Sequence, residues 1–186
     1  MMIDPKDFVQ SINDAGIDFF TGVPDSLMKG LCNYLSSGGP SFEHIPSTNE
    51  GSATALAIGH YFATSQPAMV YMQNSGLGNI VNPVLSLAHP EVYAVPMLLV
   101  IGWRAEILED GTQLADEPQH KAQGRITREL LELMDIPAIV LNADSDFQSQ
   151  VKNIISQSIE QARPAAILIR KDTFASSGLP KDDGAK

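Results

Sequence analysis

Glu50 is the first residue whose surroundings suggest chemistry. It follows Ser47-Thr48-Asn49 and opens a helical pattern carrying Ala53, Leu56, Ala57 and Tyr61. A carboxylate in a first helical turn complements the helix dipole. At a strand exit, partly desolvated inside a cleft, it can also exchange a proton with a bound heterocycle. In Gly22-Val23-Pro24-Asp25-Ser26, either Asp25 or Ser26 is expected to cap the following helix, with any chemistry additional to that. In Asn74-Ser75-Gly76-Leu77-Gly78-Asn79, two glycines flank a leucine, which suits either a tight strand-to-helix turn or close approach of backbone to a flat ligand. It is not a dinucleotide fingerprint, because the third glycine of G-x-G-x-x-G would fall at Val81. Arg104 and His120 flank a polar, acidic segment, and together at a cleft mouth they could hold a doubly charged anion. The single cysteine, Cys32, shares an apolar stripe with Leu27, Leu31 and Leu35 and reads as a buried structural thiol. No Cys/His cluster has zinc spacing, so no metal ligand is assigned.

Short β-rich runs at 19–23, 43–46, 68–73, 97–102, 138–141 and 165–170 alternate with helical patterns at 5–15, 26–36, 50–64, 80–88, 121–134 and 147–162. This alternation predicts an α/β fold, doubly wound, with a largely parallel six-stranded sheet and helices on both faces. The unbroken apolar run Met97-Leu98-Leu99-Val100-Ile101 is that of a central strand covered on both sides. In such sheets ligands collect at the carboxyl ends of the strands, which is where the candidate residues fall. Residues 103–120 show no clear periodicity, and a loop of that length is functional or disordered. Residues 1–174 are expected to form one domain, with 175–186 a flexible tail or linker.

A chain of 186 residues with 44% hydrophobic content can bury one substantial core. A net charge of −10 with 12 scattered Lys and Arg argues against a nucleic-acid partner. No apolar stretch approaches the roughly 20 residues of a membrane span, and the first residues lack the basic-then-apolar order of a signal peptide. A cytoplasmic protein is expected.

The strand exits occur in the order seen in phosphonopyruvate decarboxylases and the related sulfopyruvate decarboxylases. Nearly the whole chain resembles the pyrimidine-binding domain of these thiamine-diphosphate-dependent enzymes. The most specific stretches are Phe20-Thr21-Gly22-Val23-Pro24-Asp25-Ser26, Asn49-Glu50-Gly51 and Tyr71-Met72-Gln73-Asn74-Ser75-Gly76-Leu77-Gly78-Asn79. Gly102-Trp103-Arg104, and Asp116-Glu117-Pro118-Gln119-His120 with Gln123-Gly124-Arg125-Ile126-Thr127, complete the pattern and favour the phosphonopyruvate branch. The resemblance implies that Glu50 bonds N1′ of the cofactor's pyrimidine, that Asp25 assists proton transfer near the reacting carbons, and that Asn74, Ser75, Gly76, Leu77 and Gly78 pack on the pyrimidine. It implies conversion of phosphonopyruvate to phosphonoacetaldehyde and carbon dioxide, with Arg104 and His120 contacting the substrate's anionic groups. The alternatives are a sulfopyruvate decarboxylase alpha subunit and a noncatalytic regulatory subunit.

Two departures stand out. Where the family continues with glycine after Gly-Trp-Arg, this chain has Ala105-Glu106-Ile107 and then Glu109, Asp110, Asp116 and Glu117. Arg104 can serve a phosphonate only if those acids face outward. The Gly-Asp-Gly segment with a later Asn, which binds magnesium and diphosphate in the family, is missing. The resemblance therefore implies a diphosphate-binding beta subunit or domain as partner, which holds most of the magnesium contacts, and a homodimer of this domain within a larger oligomer.

Overall fold

A computed structural model describes residues 2–39 and 41–176. Asp4 caps the first helix, α1 (Pro5–Asp14), through the Lys6 amide, and Pro5 pre-sets its opening turn. Strand β1 (Phe19–Gly22) leads through a short 3₁₀ turn, Ser26–Met28, into α2 (Lys29–Ser37). Then come β2 (Glu43–Pro46), α3 (Glu50–Thr64), β3 (Ala68–Gln73), a second 3₁₀ turn at Asn74–Gly76 and α4 (Leu77–Pro83), which relaxes into one π-helical turn, Val84–Ala88. The described chain finishes with β4 (Met97–Gly102), α5 (Pro118–Leu133), β5 (Ala138–Leu141), α6 (Phe147–Glu160) and β6 (Pro164–Ile169).

The six strands form one sheet in the order β2-β1-β3-β4-β6-β5, and every neighbouring pair is parallel. Because side chains alternate along a strand, each central strand serves two cores. Leu98, Val100, Ile167 and Ile169 join Phe8, Ile12, Leu31 and Ile155 on the face covered by α1, α2 and α6. Leu99, Ile101, Ala166 and Leu168 join Ala57, Ile58, Ile80 and Leu131 on the face covered by α3, α4 and α5. The chain leaves β1 toward β2 and returns to β3 on the other side, so the carboxyl ends of β1 and β3 frame the crevice where such folds take ligands.

Several boundaries differ from the sequence expectation. Helix α5 starts at Pro118, three residues before the expected 121, because a proline at the first helical position needs no amide partner. Helix α4 starts at Leu77 rather than 80, directly from the strand exit. Residues 103–120 are an ordered connection: Trp103, Ala105 and Glu106 are buried, and Ile107 bridges Gln113. At the far end, Ile3 bridges Phe174 and the Ala175 amide bonds the Ile3 carbonyl at 2.9 Å, so Ala175 is tied to the body of the domain. The rest of the expected tail, 177–186, lies outside the described residues. No helix among the described residues is long and apolar enough to cross a membrane.

From Gly51 to Pro90 the chain contains no Asp, Glu, Lys or Arg. This stretch forms α3, β3, α4 and the π-helical turn, and its outer face exposes Leu56, Phe62 and Leu85. Val92 and Tyr93 extend the face, with Tyr93 meeting Phe62 edge-on.

Candidate active site

Asp25 leaves β1 in extended conformation at the position that precedes the 3₁₀ turn, yet its side chain caps nothing. The expected cap by Asp25 or Ser26 is thus corrected: Asp25 Oδ1 accepts a 2.9 Å hydrogen bond from Gln73 Nε2, and Ser26 Oγ accepts from Arg104 Nη1 at 3.2 Å. Ser75 Oγ donates to Gln73 Oε1 at 2.8 Å, which fixes the amide so that its NH₂ faces Asp25. Asp25 is 4% exposed, and its Oδ2 is buried without a hydrogen-bond partner. That oxygen lies against Gly102, where a Cβ would collide with it. A buried carboxylate oxygen with no donor is costly in a packed interior, which singles Asp25 out among the acids of this region.

Glu50 stands where the sequence places it, in the first turn of α3, whose N-cap Asn49 accepts from the Gly51 and Ser52 amides at 2.8 and 3.3 Å. Its Oε2 accepts a 2.7 Å hydrogen bond from Asn79 Nδ2. A Cβ on Gly76 would lie 2.5 Å from Glu50 Cγ, so only glycine lets the β3 exit approach this carboxyl. Glu50 Oε1 has no protein partner among the described residues. The expected cradle 74–78 is thus drawn together with Glu50, though its members differ in role. Asn74 is buried and donates to the Arg104 carbonyl and Thr127 Oγ1, which ties the β3 and β4 exits to α5. Leu77 is in the core, whereas Gly78 is exposed.

Arg104 and His120 come together on a third residue. Arg104 Nε and Nη2 each donate to Asp116 at 2.8 Å, one to each oxygen, and His120 Nδ1 lies 2.8 Å from Asp116 Oδ1. The Arg104 guanidinium holds the Asp116 carboxyl far below the usual carboxylate range, and Asp116 in turn raises Arg104. The acids of the loop therefore do not all face outward. Asp116 turns in to Arg104, and Glu106, 2% exposed, lies 2.7 Å from Arg170 Nε. That contact is close but misaligned for a hydrogen bond, so it acts as a charge contact. Burial pushes Glu106 up, opposed by Arg170. Glu109, Asp110 and Glu117 are exposed.

Sequence reasoning missed Gln73 and Asn79 as the partners of Asp25 and Glu50, and Asp116 as the partner of Arg104. The signal for the first two was chain position, since both lie in the strand-exit segment already singled out. Cys32 is buried among the α2 apolar residues, and burial pushes its thiol up.

Around this geometry the likenesses to known proteins agree. The chain is 34% identical over 160 residues to the sulfopyruvate decarboxylase subunit alpha of Methanococcus maripaludis, covering 86% of this chain and 90% of that protein. It is 37% identical over 135 residues to the phosphonopyruvate decarboxylase of Streptomyces viridochromogenes, covering 73% of this chain but only 32% of that longer protein. Among solved structures, 2-oxoglutarate:ferredoxin oxidoreductase from Magnetococcus marinus superposes with a TM-score of 0.63 at 16% identity, over 98% of this chain and 32% of that one, a likeness of fold. Residues 6–129 match the family model described as the thiamine pyrophosphate enzyme, N-terminal TPP binding domain, and the chain belongs to that family.

Proposed function

We propose that this chain is the pyrimidine-binding subunit of a cytoplasmic 2-oxo-acid decarboxylase that converts phosphonopyruvate to phosphonoacetaldehyde and carbon dioxide. The observation that carries the reading is Glu50, held by Asn79 on one oxygen and left open on the other, with Gly76 pressed against it at the edge of the sheet crevice. The residues fit a thiamine pyrimidine: a carboxylate for a ring nitrogen, a glycine-bearing turn beside it, and a buried acid, Asp25, with one unsatisfied oxygen. When bound, the cofactor supplies the carbon nucleophile and the electron sink that a 2-oxo acid needs to lose carbon dioxide.

Glu50 would hold and exchange the proton at pyrimidine N1′. Asp25 Oδ2 would deliver or accept a proton at the reacting carbons, with Gln73 and Ser75 fixing its orientation. Arg104 would face the substrate's anionic groups once Asp116 gives up its fork, with His120, which also contacts Asp116, beside it. The chain has no Gly-Asp-Gly segment for magnesium and diphosphate, so a partner beta subunit would bring both. The uncharged outer face of α3 and α4, which begins next to Glu50, is the surface we assign to that assembly.

A second reading, the alpha subunit of a sulfopyruvate decarboxylase, is supported by a likeness of 34% identity over 86% of this chain, beside 37% over 73% for a phosphonopyruvate decarboxylase. Assay of the assembled enzyme on both substrates separates the two. The shared chemistry is tested by Glu50→Gln, which keeps the shape and loses the exchangeable proton. A loss of about 10²–10⁴ in kcat with unchanged folding is expected, and a loss under about threefold would sink the assignment.

A further inference from the structure

At the start of the 3₁₀ turn after β1 lies a cavity of about 290 Å³ whose walls include Ser26, Leu27, Arg104, Leu114, Asp116 and Lys171. We propose that this cavity seats the second anionic group of the substrate on Arg104, Ser26 and Lys171, and that Asp116 occupies part of the seat as an internal competitor until substrate displaces it. The proposal rests on the decarboxylase reading and names how that site chooses its substrate.

The arrangement of Arg104 is the main evidence. Both donors of its fork are spent on the two oxygens of Asp116 at 2.8 Å, and a third donor reaches the Ser26 hydroxyl at 3.2 Å. A tetrahedral oxyanion such as a phosphonate or sulfonate uses the same fork in the same bidentate manner. Asp116 thus stands where such a group would bind. It also has somewhere to go: its Oδ1 is within 2.8 Å of both His120 Nδ1 and the Glu117 amide, so its charge stays held after Arg104 leaves.

Lys171 supplies the second cation. It follows β6 and lines the cavity, and among the described residues no carboxylate lies within ion-pair distance of its ammonium. The two cations of the wall, Arg104 and Lys171, face two acids, Asp116 and Asp172, and the charges of Asp25 and Glu117 also reach Arg104. Once Asp116 gives up the Arg104 fork and stays on His120 and the Glu117 amide, two parallel donors are open to a substrate oxyanion. A substrate with only its carboxylate would meet Arg104 already occupied and would have no second group with which to compete. Asp116 thereby acts as a threshold that rejects simple 2-oxo acids and admits those with a strong second anion.

Trp103, the only tryptophan in the chain, lines this cavity and is an intrinsic reporter of occupancy. The test is fluorescence titration of the full chain with methylphosphonate, methanesulfonate and acetate, backed by phosphorus NMR of the methylphosphonate arm. The expected result is saturable binding of a tetrahedral anion and none of acetate. Asp116→Asn should tighten that binding at least fivefold, and Arg104→Met and Lys171→Met should each weaken it at least tenfold. Circular dichroism checks folding, and Arg104→Lys, which keeps the charge without the fork, should fall between. The phosphonate and sulfonate arms report which oxyanion the seat prefers.

Trp103 also borders a neighbouring cavity with Arg125 and Arg128, where the Arg128 guanidinium lies 5.0 Å from the indole centroid. A signal abolished by Arg125→Ala but untouched by Arg104→Met would put the anion there and overturn the proposal. So would the absence of saturable binding by both the unmodified chain and Asp116→Asn, or unchanged affinity in Asp116→Asn or Lys171→Met. None of these measurements involves cofactor, partner or turnover. Their failure leaves the decarboxylase reading standing, whereas normal turnover by the Glu50→Gln enzyme removes that reading and leaves the anion seat.

Discussion

Asp25, Glu50 and Asp116 are three carboxylates within one rim of the sheet, and their surroundings set them to different tasks. Asp25 is sealed in with one oxygen spoken for, Glu50 is half-open with an amide partner, and Asp116 is locked to a guanidinium. The lock makes a prediction about pH. Asp116 has a depressed folded pKa, so its stabilising contribution is complete above the ordinary carboxylate range near pH 4 and is lost only as pH falls well below it. The stability difference between the unmodified chain and Asp116→Asn, measured by urea unfolding, should therefore be flat from about pH 5.5 upward and should shrink below about pH 4. A difference that grows on acidification would mean that the pair does not stabilise the fold. Glu50 was readable in the sequence because its helix start announces it locally. The bond from Asp25 to Gln73 was not, because it joins residues 48 apart through a crevice that exists only once the strand order is known.

At the level of elements, most of the fold was legible. Strands β2, β3, β4 and β5 fall at the expected residues, and for β3, β4 and β5 nearly unbroken apolar runs leave little choice. The misplaced helix starts share a cause: α4 and α5 begin on residues that carry no apolar periodicity, Leu77-Gly78-Asn79 and Pro118-Gln119-His120, so a count of apolar spacing finds them late. The connection between β4 and α5 was read as irregular for a related reason. Its order comes from contacts such as Gln113 Nε2 donating to the carbonyls of Ala105 and Lys121 at 3.1 and 2.8 Å, and these leave no periodic trace. The meeting of the β3 exit with the start of α3 yields a sharper prediction. Gly76→Ala should keep the sheet and the stability of the domain to within about 1–2 kcal/mol, since the clash is with a side chain that can swing away. It should nevertheless lower the activity of the assembled enzyme at least tenfold by displacing Glu50. Full activity in Gly76→Ala would show that the position of the Glu50 carboxyl is not critical.

The described residues form a layered domain, and on the proposed function it supplies one half of a site. The isolated chain is expected to show no measurable turnover with thiamine diphosphate and magnesium, and addition of the diphosphate-binding chain should restore it. Substantial activity in a preparation shown to be free of any partner would overturn this. The same dependence has a consequence for the cell. Forty consecutive residues without a formal charge, in a chain of net charge −10, expose Leu56, Phe62 and Leu85, with Tyr93 beyond them against Phe62, and repulsion between copies is weakest there. With the proposed partner on this face, the chain would draw part of its stability from mass action, because a partner that binds only the folded form raises the free energy of unfolding in proportion to the logarithm of its concentration. Copies made in excess of the partner would be the ones that precipitate or are degraded, so the supply of the second chain would set the standing amount of this one. Balanced synthesis of the two chains would then be a requirement that the proposed assembly places on the surface of α3 and α4.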